Sequence, residues 1–186
     1  MIKITLKDGS VKEIENKMSI LDIAKSISEG LARMATAGEV NGEAKDLRYV
    51  VEEDCSLNIL TFESSLEGKK AYWHTTSHIM AQAVKRLFPN AKLAIGPAID
   101  DGFYYDFDVE KPFSDEDKEK IEEEMKKIIK EDLEIERFEL PRAEALKLMS
   151  DMGEDYKVEL INELPENSVI SFYKQGEFTD LCAGPH

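Results

Sequence analysis

The sequence predicts an α+β fold in two compact units, and three observations carry that prediction. Apolar and polar residues alternate in short runs such as Ile2, Ile4 and Leu6, which is the period of a half-buried strand. Ile20 to Leu31 and Trp73 to Phe88 instead repeat their apolar residues at helical spacing. Between them the composition turns polar, through Ser64, Ser65, Gly68, Lys69 and Lys70, as a linker does. The expected division is a first unit over 1–62, a linker over 63–70 and a second unit over 71–186.

In the first unit Asp8-Gly9 is a two-residue hairpin turn, followed by a return strand with Val11 and Ile14. Ser19 caps an amphipathic helix built on Ile20, Leu21, Ile23, Ala24, Ile27 and Leu31, with Gly30 near its end. Asn41-Gly42 turns the chain again, and Tyr49–Val51 and Leu57–Leu60 supply later strands. A hairpin, one helix and returning strands describe a β-grasp, ubiquitin-like unit. It has no histidine, and the acids beside Cys55 raise rather than lower a thiol pKa. It reads as a binding or docking module.

The second unit opens on the helix from Trp73, which stops at Phe88-Pro89-Asn90. Met80, Ala83, Val84 and Leu87 form its apolar stripe, with His74 and His78 roughly opposite, outside the helix's own core. Leu93 to Ile99 reads as a short strand ending at an Asp100-Asp101-Gly102 tip. Phe103, Tyr105 and Phe107 alternate with Tyr104, Asp106 and Asp108, giving a strand with one aromatic and one polar face. Residues 114–132 are a charged, solvated helix capped by Ser114, with Asp117 at the third helical position. A strand over 134–140 and a helix over 143–152, introduced by Pro141, follow. Lys157 to Ile161 fits either a strand or a short helix. Val169 to Tyr173 is a last strand that delivers the chain to Cys182 and His186.

The 186 residues carry a formal charge of −15, which excludes broad attraction to nucleic acid or anionic membranes and leaves only local contacts. There is no secretory leader and no membrane-length apolar run, and two distant cysteines make no disulfide framework. A cytoplasmic protein with no membrane partner is expected. All three histidines fall into one pattern. His74 and His78 are four apart on a helix, and Cys182 and His186 repeat that spacing across a Gly184-Pro185 turn. Together they make a candidate four-residue site.

Five stretches then match a known pattern: His74-Thr-Thr-Ser-His78, Gly96-Pro97, Asp101-Gly102-Phe103-Tyr104-Tyr105-Asp106, Tyr156-Lys157 and Asp180-Leu-Cys182-Ala-Gly-Pro-His186. Over its whole length the chain resembles the N-terminal region of the bacterial threonyl-tRNA synthetase family. The first unit resembles that family's TGS domain, and the second its α+β editing domain, related to that of alanyl-tRNA synthetases. The resemblance implies a fragment without the aminoacylation and anticodon-binding domains. ATP, magnesium and a catalytic zinc are expected only there, in keeping with the absence of a Walker-type loop here.

The resemblance further implies hydrolysis of serine misattached to threonine tRNA. His74 and His78 are then expected to position water and move protons, and Lys157 to stabilise charge or donate a proton. Asp180 would orient the serine, Tyr104 and Tyr105 are alternative pocket walls, and Cys182 and His186 complete the site. His74, His78, Cys182 and His186 are also chemically suited to tetrahedral zinc, but the resemblance favours no metal. Direct attack by Cys182 is a further mechanism. Lys69, Lys70, Lys85, Arg86 and Lys92 are candidates for holding the tRNA acceptor end. The full-length relatives imply a homodimer, and the fragment a monomer. Two other functions fit: a TGS-based RNA-docking or regulatory module with an inactive second unit, and a free-standing trans-editing deacylase.

Overall fold

The computed structural model describes residues 1–186 throughout, and the chain divides into two compact units. The first comprises Met1–Thr75, Ala98–Gly102 and Gly184–His186, and the second comprises Thr76–Pro97 and Phe103–Ala183.

The first unit is a β-grasp. Strands β1 (Ile2–Leu6) and β2 (Val11–Ile14) make the predicted hairpin. A short β3 (Met18–Ser19) leads into α1 (Ile20–Ile27), α2 (Glu29–Met34), β4 (Ala35–Val40), β5 (Glu43–Lys45), β6 (Val50–Val51) and β7 (Cys55–Thr61). The main sheet runs β2-β1-β7-β4-β5, with β1 and β7 parallel at its centre, and β3 pairs with β6. Ile4, Ile14, Ile20, Ile23, Val40, Val51 and Leu57 form the core.

Two local expectations change. The single helix from Ile20 to Leu31 is two helices, because Ser28 is extended and caps both. Its hydroxyl accepts the Leu31 N–H at 3.4 Å, offering the backbone an alternative to a continuous helix. Strand β4 was not expected, since Ala35, Ala37 and Gly38 are too small to show alternation.

Helix α3 (Leu66–Leu87) begins seven residues before Trp73, so residues 66–70 are its first turns rather than linker. Ser65 Oγ accepts the Gly68 N–H at 2.9 Å, the work of a cap. A Cβ on Gly68 would stand 2.2 Å from the Thr61 carbonyl oxygen. Small and polar residues there serve a cap and a close approach, which composition alone reads as flexibility.

In the second unit, β8 (Lys92–Leu93) pairs with β11 (Phe107–Asp108); the hairpin of β9 (Ala98–Ile99) and β10 (Gly102–Phe103), between them in sequence, has its residues 98–102 in the first unit. The two longer strands expected over 93–99 and 103–108 are thus both interrupted. Pro97 has no N–H to give a ladder, and a Cβ on Gly96 would stand 2.0 Å from the Tyr105 ring. Then come α4 (Asp115–Glu131), β12 (Ile135–Glu139), α5 (Arg142–Asp151), α6 (Asp155–Glu163), β13 (Ser171–Gln175) and β14 (Phe178–Leu181). The Ser114 and Asp117 capping box is present.

Strands β12, β13 and β14 form an antiparallel sheet that packs on α5 and α6 through Ala145, Met149, Ile161, Ile170 and Phe172. Lys157 to Ile161 is therefore helical, with Lys157 and Ile161 buried one turn apart. On α3, Ala83 and Val84 pack against Ile121 and Ile128 of α4, with Met80, Phe88, Phe107 and Phe113 around them, whereas Leu87 of the expected stripe is exposed. The opposite face is not free, because His78 and Gln82 are also buried. Both faces of this part of the helix are covered.

Candidate active site

The second unit buries a group of ionisable side chains from four elements. His78 comes from α3, Tyr105 from the segment before β11, Lys157 from α6 and Asp180 from β14. The register of β14, which sets Asp180 opposite Tyr173, turns its carboxylate inward. Lys157 Nζ stands 3.0 Å from Asp180 Oδ1, and the Tyr105 hydroxyl donates to Oδ2 at 2.5 Å. His78 Nε2 lies 3.5 Å from the same oxygen. Asp180 is 1 %, His78 2 % and Lys157 3 % exposed.

Burial, and then the charge of Asp180, hold the Tyr105 phenol well above its ordinary pKa. Tyr105 therefore stays protonated and donates. The ring of His78 is held edge-on between Phe178 and Tyr173, with centroids 5.8 and 6.5 Å away. A buried lysine and aspartate carry a desolvation cost that apolar residues would avoid, so such a group is a functional-site signal rather than a stability device.

Cys182 is half-buried just beyond β14, its N–H donating to Ser171 O at 3.0 Å and its carbonyl accepting from the Ser171 hydroxyl at 2.5 Å. Its sulfur and one ring nitrogen of His78 lie within 4.8 Å of each other. In the first unit, His74 and His186 stack with centroids 4.3 Å apart and planes inclined by 27°. Thr75 Oγ1 is 3.3 Å from His186 Nδ1. The His186 backbone is tied at both ends, its N–H donating to Asp46 Oδ1 at 3.2 Å and its carbonyl accepting from Arg48 at 3.2 Å. His74 and His78 remain one turn apart on α3, as their spacing predicts.

Of the two tyrosines, Tyr105 points at Asp180 while Tyr104 is 41 % exposed. The basic residues fall into two groups. Lys85 pairs with buried Glu154 at 2.8 Å and also donates to the carbonyls of Pro89 and Ala91. Arg86 is held by Glu124, Glu131 and Glu177, and Lys92 donates to the Gly153 carbonyl. These three are committed to acceptors of this chain. Lys69 instead lies over the Phe62 ring, 5.6 Å from its centroid, and Lys70 is 3.1 Å from exposed Asp100.

Sequence reasoning missed Glu154, Asp46 and Arg48. Glu154 accepts the Leu93 N–H at 2.9 Å and opens α6, three residues before Lys157. An acidic chain offers no pattern that marks one buried glutamate, and nothing in sequence links Asp46 and Arg48 to a residue about 140 positions away. Thr75, inside His74-Thr-Thr-Ser-His78, was within the motif and could have been named.

A family model for the TGS domain matches residues 2–61, the β-grasp. Threonine–tRNA ligases match the whole chain: that of Acetivibrio thermocellus is 70 % identical over 186 residues, and that of Clostridioides difficile 64 %. The enzyme of Clostridium perfringens strain 13 is 67 % identical over the same residues. This chain covers 29 %, 29 % and 28 % of those proteins, so it spans less than a third of the relatives' length. The similarity is to their N-terminal region. No helix is long and apolar enough to cross a membrane.

Proposed function

We propose, for a chain that matches the N-terminal region of bacterial threonine–tRNA ligases along its whole length, that its second unit is a proofreading hydrolase. Its substrate would be threonine tRNA wrongly carrying serine, and its reaction cleavage of the ester on the 3′-terminal adenosine. The observation that carries the reading is the buried Lys157, Asp180, Tyr105 and His78 group. The need for it is physical: serine lacks one methyl group of threonine, a difference worth only about 10- to 200-fold in a binding pocket.

Ester hydrolysis needs a base for the attacking water, charge to stabilise the oxyanion and a proton for the departing 3′ oxygen. His78 takes the water's proton, and Asp180 beside its Nε2 stabilises the imidazolium that forms. The Lys157 ammonium supplies positive charge for the oxyanion and a proton for the leaving oxygen. Tyr105 donates to Asp180 and Lys157 pairs with it, so we assign the aspartate to holding its neighbours rather than the serine. His74, one turn before His78, is assigned to placing the water. Cys182 shapes the substrate's surroundings.

The proposed chemistry uses no metal. His74, His78, Cys182 and His186 are donor types that would also suit a tetrahedral zinc, which would supply Lewis-acid charge there.

The test is release of serine and of threonine from threonine tRNA by this chain, with His78→Ala and Lys157→Met beside it. Serine is expected to be released and threonine retained, each variant losing about 100-fold or more, and a chelator is expected to change nothing. Equal release of both amino acids, or none from a folded chain, would overturn the reading. Activity lost to chelator and restored by zinc would overturn its metal-free part alone.

A further inference from the structure

The first unit carries an aromatic cluster that its fold does not use as core. Phe62, just after β7, meets Tyr72 and Trp73 of α3 edge to face, with centroids 5.2 and 5.6 Å apart. Tyr72 is 54 % exposed, and Lys69 Nζ stands 5.6 Å from the Phe62 centroid. An exposed ring backed by two half-buried ones is a surface on which an unpaired base can stack. Trp73 is followed directly by His74, whose ring stacks on His186 in the same unit.

We propose that Phe62, Tyr72 and Trp73, with Lys69, form a stacking site for the unpaired nucleotides at the 3′ end of an RNA. The choice of RNA rests on the proposed function, in which the 3′-terminal nucleotide of an RNA bears the ester. Local charge shows how the site would work. Glu63 and Glu67 on the same stretch offset Lys69 and Lys70, and Lys70 is already 3.1 Å from Asp100. Phosphate neutralisation is therefore weak here, and ring contacts supply the affinity. Binding is accordingly expected to depend little on salt.

Trp73 is the only tryptophan in the chain, so its fluorescence reports on the site without a label. The probes are two uncharged RNA hairpins, one with a short unpaired 3′ tail ending in adenosine and one blunt. The tailed hairpin is expected to quench Trp73 to saturation and the blunt one to leave it unchanged. Tyr72→Ala should weaken tail binding about tenfold, Tyr72→Phe should restore it, and neither should shift the melting temperature of so exposed a position. Equal quenching by both hairpins, or native tail binding by Tyr72→Ala, would overturn the proposal. Neither hairpin carries an ester, so the two readings fail separately: quenching without serine release sinks the hydrolase alone, and serine release without tail-dependent quenching sinks the stacking site alone.

Discussion

The contact between α3 and the β13–β14 hairpin has two charged ends, built in opposite ways. At one end His78 meets Asp180, whose carboxylate also holds Lys157 and Tyr105, and all of it is buried. At the other, two turns along α3, Arg86 reaches Glu177 beside the hairpin's turn, together with Glu124 and Glu131 of α4. Between them Gln82 and Gln175 exchange a hydrogen bond of 2.8 Å. The Arg86 end is open to water, its side chain 24 % and that of Glu177 57 % exposed. An open cluster can gather several like charges around one cation, because solvent screens them. The closed end holds one anion among Lys157, Tyr105 and His78. The first arrangement fixes geometry at small cost, while the second is costly and makes sense as chemistry.

The sharpest way to break this comparison is to remove one partner of the closed pair. Lys157→Ala leaves Asp180 buried without its cation, and a loss of about 3–5 kcal/mol in urea unfolding is expected. Replacing both, as Lys157→Met with Asp180→Leu, should recover most of that stability while hydrolysis stays absent. If the double variant were no more stable than the single one, the pair would be structural after all, and the contrast with Arg86 would fall. Tyr105→Phe probes the same anion more gently, since it deletes one donor and keeps the ring that fills the space at Gly96. A cost of about 1–3 kcal/mol is expected in the same measurement.

The two ends were unequally legible in the sequence. Hairpin, cap and helix signals placed most of the β-grasp and α4, because those signals are local. The histidine spacing placed His74 and His78 on one helix, but it could not say that His78 is buried. An amphipathic reading assumes one covered face, and this part of α3 has two. Asp180, Lys157 and Tyr105 were named through family resemblance, whereas their mutual contact comes from strand register and helix placement, which no short motif encodes. Arg86 was read as a candidate for RNA, since basic residues in a row give no hint of acids far away in the chain. Glu177 follows it by 91 positions.

The smallest effect expected belongs to the open end, and pH is the variable that isolates it. Hydrogen bonds from Arg86 are the main cause that lowers Glu177 from 4.5 to about 2, and the same guanidinium helps to depress Glu124 and is the main cause depressing Glu131. A carboxylate whose pKa is lower folded than unfolded stabilises the fold above its unfolded value. That contribution fades as pH falls through the folded one. For Glu177 it is complete above about pH 4.5 and lost on the way down to about 2. Arg86→Ala is therefore expected to cost about 1 kcal/mol at neutral pH, exposure limiting the effect. It should also flatten the fall in melting temperature between those pH values. A variant that kept the native slope there would show that the acid sensitivity resides elsewhere, and the open cluster would then be a solvated surface rather than the clamp that holds the hairpin on α3.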